Sequence, residues 1–391
     1  MEKKKLLIRT GYLGLGAIEQ LTFDMIVGLK DRFDITLGIE NHHNNSLVEK
    51  LPSEIKYFYI KTEEFEKKIE KVRNKKKNIF YKIYYNYLLK KEKWVCCDSI
   101  NKYIKNHGNF DLFVDYDSKA QKYAEKINVK KKVVWQHTSL NKNVERTKKR
   151  LEKYDKVILI CDDMKNDFIK HFPELKEKFV RIYNFLDFNR INRMKYDDSG
   201  LSEKEKNMLK EKYCVSVARL DYPKDFDTLI EAFKILKEDG IKEKLYIVGE
   251  GEQRERVEKK IKELNLEDTV FLIGKKVNPY IWIEKADMFL HSSKREGFAI
   301  VLIEAFACEK FVISSDCLVG PREVLENGKN GELFEVRNVK ELVEHIKKYY
   351  ENPELKNQFI ENSKIRIKDF EKDKIVKEYG DFFDKIIGEN R

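Results

Sequence analysis

The sequence predicts an α/β protein built from two doubly wound domains, each a parallel sheet flanked by helices. Three observations carry that prediction. Short apolar runs alternate with longer amphipathic stretches along the whole chain, which is the pattern of β-α repeats. The pattern runs once before residue 190 and again after it, across a charged stretch that holds Asp197, Asp198, Ser199 and Gly200. The length, 391 residues, is too great for one ordinary core and comfortable for two.

Element by element, the first half predicts strands at residues 5–9, 34–39, 56–60, 112–115, 132–136 and 156–161, with a further short strand before Asn184. Helical periodicity falls between them, at 18–30 and 144–153 among others. The second half predicts strands at 214–218, 244–248, 270–273, 288–291 and 311–314. Helices are expected at 227–238, 253–264, 301–308 and 339–350. Short strands each followed by a helix of this length give a Rossmann-like order, and ligands in such sheets bind at the carboxyl ends of the strands.

Composition narrows the class. No stretch reaches the roughly 18–20 consecutive apolar residues that span a bilayer, and Arg9 ends the first apolar run too early for a signal peptide. A cytoplasmic location is expected. The six cysteines show no metal-ligand spacing and read as buried structural thiols. The net charge of +11 is uneven: residues 1–190 hold 41 Lys and Arg against 27 Asp and Glu, and the remainder 38 against 41. A basic half suits nucleic acid, anionic lipid or a phosphorylated ligand, or is simply a well-solvated lysine-rich surface.

The segment Lys294-Arg295-Glu296-Gly297-Phe298-Ala299-Ile300 leads from a strand into a helix. Glu296 then stands at a carboxyl edge, and the helix start offers free N–H groups of the kind that attract phosphate. Glu304 follows further along that helix, with a carboxylate able to accept from sugar hydroxyls. Arg219 and Lys224 lie in the loop after another strand, where a guanidinium fork and an ammonium suit a diphosphate. Gly249-Glu250-Gly251 ends a third strand and lacks the third glycine of a dinucleotide fingerprint. Acidic residues near a helix start also serve as caps, and loop lysines are common in this chain.

Taken together, Glu296 and Glu304 with Arg219, Lys224 and Gly249-Glu250-Gly251 upstream resemble the retaining GT-B glycosyltransferases of family 4. The first glycine-rich loop, Thr10-Gly11-Tyr12-Leu13-Gly14-Leu15-Gly16, and the segment Asn184-Phe185-Leu186-Asp187 extend the resemblance over almost the whole chain. Phe185 and Ala299 depart from it, each standing where proline is usual.

The resemblance implies two Rossmann-like domains facing a central cleft. Residues 1–190 would bind the acceptor, 191–370 the nucleotide sugar, and 371–391 would form a helix returning to the first domain. Arg219 and Lys224 would neutralise the departing diphosphate, and Glu304 would hold the ribose. Glu296 with the backbone of Phe298, Ala299 and Ile300 would position the sugar and phosphate. Gly249 would admit the nucleotide, and Gly14 and Gly16 would let the first loop close. His137, ending the strand at 132–136, would sit near the donor sugar, or is a hydrogen-bonded strand-end residue. The implied donor is a UDP-sugar carrying a hexose or N-acetylhexosamine, used without metal or other cofactor. The segment 315–325 resembles one found in enzymes that extend lipid-linked surface glycans, which implies a lipid-linked glycan acceptor.

Residues 71–93 interleave lysines with Phe80, Tyr81, Tyr84, Tyr85 and Tyr87, with Trp94 just after. Such a helix suits the anionic inner face of the cytoplasmic membrane, or buries its tyrosines and solvates its lysines. Asp115-Tyr116-Asp117 has the form of a metal-holding Asp-x-Asp but falls in the wrong half for the donor. Rival readings are a nucleic-acid-binding protein, which lacks a recognised module here, and a sugar-nucleotide epimerase of related fold, which leaves the Glu296/Glu304 pair unexplained.

Overall fold

The computed structural model describes residues 2–14, 16–140 and 143–389; Leu15 of the glycine-rich loop lies outside them. The chain divides into two compact units. The first comprises the chain up to Ile160, Lys165–Tyr183 and the segment from Asp373 on. The second comprises Cys161–Met164 and Asn184–Lys372. The main crossing thus falls at 183/184, a few residues before the polar linker, because Asn184–Leu186 already packs with the second unit, where Leu186 N donates to Phe370 O.

Seven parallel strands form the first sheet: β1 (Lys5–Thr10), β2 (Asp34–Ile39), β3 (Lys56–Tyr59), β4 (Leu112–Asp115), β5 (Lys131–Gln136), β6 (Lys156–Leu159) and β7 (Phe179–Arg181). Their order is β3-β2-β1-β4-β5-β6-β7, so the winding reverses between β1 and β4. The second sheet holds β8 (Tyr213–Val217), β9 (Lys244–Val248), β10 (Val270–Gly274), β11 (Met288–His291), β12 (Val312–Ser315) and β13 (Glu332–Phe334). Its order is β10-β9-β8-β11-β12-β13, and here the reversal falls between β8 and β11. All recorded pairings are parallel, as right-handed β-α-β crossovers require. Strand β13 has no counterpart among the sequence expectations, since three residues are too short to carry a period.

Burial explains why these runs are strands. β1, β4 and β11 are covered on both faces, so both alternating sets of side chains are apolar rather than one. The helix Phe226–Glu238 shows the complementary pattern: Phe226, Leu229, Ile230 and Phe233 repeat on one face and pack against Leu245, Ile247 and Leu290 of the second sheet.

The basic, aromatic stretch is two helices, Glu63–Asn74 and Ile79–His107, rather than one over 71–93. The second starts where the Asn78 side chain accepts from Phe80 N at 2.9 Å. Its outer face carries Ile79, Ile83, Tyr87 and Trp94, exposed by 60%, 61%, 55% and 65%, with Phe80 beside them at 77%. The reading that buries these aromatics in the core therefore fails, although Leu88, Cys96 and Ile100 on the same helix are buried. No helix among the described residues is long and apolar enough to cross a membrane.

Candidate active site

The reversal between β8 and β11 sets two loops side by side at the carboxyl edge of the second sheet, which is where an open α/β sheet binds ligands. Lys224 comes from the turn Tyr222–Lys224 after β8 and Glu296 from the loop after β11. Lys224 Nζ lies 2.5 Å from Glu296 Oε1. The same oxygen accepts from Ser293 Oγ at 2.5 Å and from His291 Nε2 at 3.0 Å. His291 is anchored through Nδ1 to Ser314 Oγ at 2.9 Å, and Ser315 Oγ donates to Ser293 O at 2.6 Å. Neighbouring β12 thus braces the Glu296 cluster from behind.

Burial works against ionisation of Glu296, but the hydrogen bond from and charge of His291, with those of Lys224, hold its carboxyl well below the usual range. Three donors converge on Oε1, and Oε2 accepts from none of the described residues. An ionised, oriented carboxylate with one free oxygen can receive a hydroxyl. Lys224 uses one of its three N–H groups on Glu296 and keeps two for an anion.

The helix Ile300–Ala307 starts just beyond, after Ala299, whose φ of 56° and ψ of 52° are left-handed. Proline cannot adopt that φ, and glycine can. The comparison of Ala299 with a usual proline is therefore corrected: the backbone at 299 favours glycine. Gly320, at φ 99°, packs so closely on Phe298 that a Cβ there would lie 2.9 Å from the Phe298 backbone. Phe298 itself is buried with its ring edge-on to Phe370.

Glu304 lies in the second turn of that helix, half-buried, and accepts from Tyr280 Oη at 3.1 Å. Burial raises its carboxyl to about 7, against the Tyr280 hydrogen bond and the Arg190 charge. It does not share a contact with the Glu296 cluster. Arg219 is also apart: its side chain is 81% exposed and its guanidinium pairs with Asp221 at 2.9 Å. Of the two cations expected to act together, the structure brings Lys224 to the carboxylate and leaves Arg219 at the surface.

Gly249, at φ 153°, is held to glycine by its packing on the neighbouring loop. A Cβ there would collide with Ala218 O, and one on Gly251 would meet Leu220 O at 2.5 Å. The two glycines let the β9 turn pack against the Arg219 loop, which is tied to it by Leu220 N donating to Glu250 O at 3.0 Å.

In the first unit, a Cβ on Gly14 would collide with Asn44 O, and Gly16 precedes the helix Ala17–Leu29 in extended backbone. His137 Nε2 donates to Tyr116 O at 2.8 Å, while Nδ1 is buried with no partner among the described residues. Burial depresses this imidazole to about 4, so it is neutral near pH 7 and offers an acceptor. Asp115 and Asp117 pair with the buried Arg9 guanidinium, and Asp117 Oδ2 also accepts from Gly11 N at 2.8 Å. That pairing leaves the Asp-x-Asp committed to a guanidinium.

His291, Ser293 and Gly320 were not singled out from sequence. His291 had the same signal as His137, a histidine closing a strand at a carboxyl edge.

This fold and this edge define a two-domain GT-B protein. Residues 199–366 match the family model of the group 1 glycosyl transferases. A Campylobacter jejuni relative, N-acetylgalactosamine-N,N'-diacetylbacillosaminyl-diphospho-undecaprenol 4-alpha-N-acetylgalactosaminyltransferase, is 35% identical over 228 residues, 58% of this chain and 60% of that protein. The poly(ribitol-phosphate) alpha-N-acetylglucosaminyltransferase of Staphylococcus aureus is 27% identical over 207 residues, 53% of this chain and 39% of its own. The chain thus spans less than two thirds of the length of these relatives. The crystal structure of Anabaena Alr3699/HepE in complex with UDP and glucose superposes with a TM-score of 0.75 over 98% of this chain and 100% of that one, at 19% identity.

Proposed function

We propose that the protein transfers a hexose or N-acetylhexosamine from a UDP-sugar to a lipid-linked or polymer glycan, with retention at the anomeric carbon. The observation that carries this reading is the Lys224–Glu296–His291 cluster at the reversal of the second sheet. Lys224 neutralises the diphosphate as it leaves, Glu296 Oε2 receives a donor-sugar hydroxyl, and Glu304 receives the ribose. Arg219, free to swing from Asp221, adds its fork to the diphosphate. Positive charge held in place before reaction stabilises the leaving group and supplies most of the rate. With that charge on side chains, the reading needs no divalent metal. Retention follows if the acceptor attacks from the face the diphosphate vacates, its proton passing to a phosphate oxygen.

The names of the two relatives support the acceptor class, one naming a diphospho-undecaprenol and the other a poly(ribitol-phosphate). The UDP complex of the structural neighbour supports the nucleotide. The outward apolar side chains of Ile79–His107, flanked by Lys82, Lys90 and Lys91, support contact with an anionic inner membrane face.

The test is to incubate the protein with UDP-N-acetylgalactosamine, UDP-N-acetylglucosamine or UDP-glucose and a polyprenyl-diphosphate-linked glycan, then read the new linkage by NMR. An α-linked product with UDP released is expected. A β-linked product, or an epimerised sugar nucleotide formed without acceptor, contradicts the reading.

A further inference from the structure

Beside the carboxyl end of β4, the first unit has a pocket of about 330 Å³ lined by Lys93, Ser118, Lys119, Gln121, Lys122 and Arg150, with Glu40 and Glu92 also on its wall. Besides Lys119, which pairs with Asp117 at 3.5 Å, four cations crowd here: Lys93, Lys122 and Arg150 in the lining, and Arg146 one helical turn before Arg150 on Val144–Leu151. Among the described residues, Lys93, Lys122, Arg146 and Arg150 have no carboxylate within ion-pairing distance.

The two carboxylates that could balance them are engaged elsewhere. Glu40 pairs with the buried Arg9 and, at 3.3 Å, with the buried Lys61. Glu92 accepts from Lys61 Nζ at 2.8 Å. The cations therefore press on each other: burial lowers the Lys122 ammonium, and Arg150, Lys93 and Arg146 lower it further against the opposing pull of Glu92. The Arg150 guanidinium is lowered by burial and by Arg146. Like charges held together at a concavity, with hydroxyl and amide donors in the same wall, are relieved by a multivalent anion.

We propose that this pocket binds a diphosphate group and, on the glycosyltransferase reading above, that it holds the diphosphate of a lipid-linked acceptor. Three features favour a diphosphate over a single carboxylate or sulfate. The charge to be balanced is several units, the cations come from three separate elements, and an Arg fork and Lys ammoniums suit neighbouring phosphate oxygens. Lys93 in the pocket wall and Trp94 of the exposed apolar stripe are consecutive residues of the helix Ile79–His107, which therefore carries both features. A lipid tail lying along that stripe leaves its diphosphate at the pocket.

The test is calorimetric titration of the whole protein, with UDP saturating its own site, using orthophosphate, pyrophosphate and geranyl diphosphate. Pyrophosphate and geranyl diphosphate should bind one per chain, at least tenfold more tightly than orthophosphate. The variant Lys93→Gln/Lys122→Gln/Arg150→Gln should lose at least tenfold of that affinity while its UDP affinity stays within twofold, which also reports that it is folded. Absence of diphosphate binding, or a triple variant that binds like the parent, overturns the proposal. Pyrophosphate binding with geranyl diphosphate excluded overturns the acceptor assignment by showing a site for the free anion. If UDP does not bind the parent at all, the donor reading fails, and the same titration without UDP still decides the pocket.

Discussion

Lys224 Nζ and Glu296 Oε1 lie 2.5 Å apart, at the ends of two loops that leave adjacent central strands of the second sheet. Because the winding reverses between those strands, the pair sits at the switch point of the sheet, where open α/β sheets bind ligands. On the proposed reading, removing Lys224 strips the leaving group of its cation, and it takes a hydrogen-bond donor from the Glu296 carboxylate. Lys224→Ala is expected to lower turnover about 100- to 1,000-fold. Lys224→Arg is expected to recover only part of it, because a planar fork cannot keep one bond to Glu296 and still aim two at a diphosphate in the same space. Steady-state kinetics on the two variants decide this.

With Glu304 receiving the ribose, as proposed, UDP binding acquires a pH dependence. The Glu304 carboxyl is raised to about 7 by burial, so in the free protein it is largely protonated below that pH. A carboxylate that accepts from ribose hydroxyls must be ionised. UDP affinity should therefore fall as pH drops from 8 through 7 towards 5.5, approaching tenfold per unit. In Glu304→Gln the dependence should be absent. The stability effect has the opposite sign: with the folded value above the unfolded one, ionisation of Glu304 costs stability as pH rises through that interval. Glu304→Gln should consequently melt higher than the parent at pH 8 and close to it at pH 4. Calorimetry at three pH values reads both effects.

His137 is predicted to contribute no ionisation to the rate. Its imidazole is depressed to about 4 by burial and donates through Nε2 to Tyr116 O. The pH–rate profiles of the parent and of His137→Gln should keep the same shape between pH 5.5 and 8, whatever the drop in their height. A limb near 6.5 that vanishes in the variant contradicts this.

Ala299 is strained by its left-handed backbone. Glycine there should be neutral or stabilising, by up to about 1 kcal/mol after the entropy of the freer unfolded chain is deducted. Ala299→Pro should cost about 3 kcal/mol or more, since proline fixes φ near −65°. Urea unfolding of the two variants reads the difference.

The stripe on Ile79–His107 predicts membrane binding separable from donor binding. Ile83→Ser/Tyr87→Ser/Trp94→Ser should reduce co-sedimentation with phosphatidylglycerol vesicles at least tenfold and leave UDP affinity unchanged.

Much of the fold was legible because both sheets are parallel and buried, so that strands such as β2, β4, β9 and β11 read as apolar runs with sharp ends. Glu296 and Lys224 were legible because each closes a strand-to-helix or strand-to-turn junction, the one place a parallel sheet exposes polar groups to a ligand. Other features rest on contacts distant in sequence. Ser314 and Ser315 brace the Glu296 cluster from a neighbouring strand, and the tight packing of Gly320 on Phe298 joins loops more than twenty residues apart. The packing of Gly249 on Ala218 was not legible either, because a glycine states only that space is short and not what fills it. The outward face of Ile79–His107 was ambiguous for a related reason: the helix carries apolar residues all round, and only the position of Leu88 and Ile100 shows which side is core.

The central claim is that the second unit binds the diphosphate of a UDP-sugar through Lys224, with Arg219 assisting. Its most direct test is a thermal-shift panel of UDP, GDP, ADP and NAD, with and without a divalent metal, on the parent and on Arg219→Ala/Lys224→Ala. The account predicts stabilisation by UDP, unaffected by metal and lost in the double variant. Stabilisation by none of the nucleotides, or a UDP response that survives loss of both cations, would contradict it.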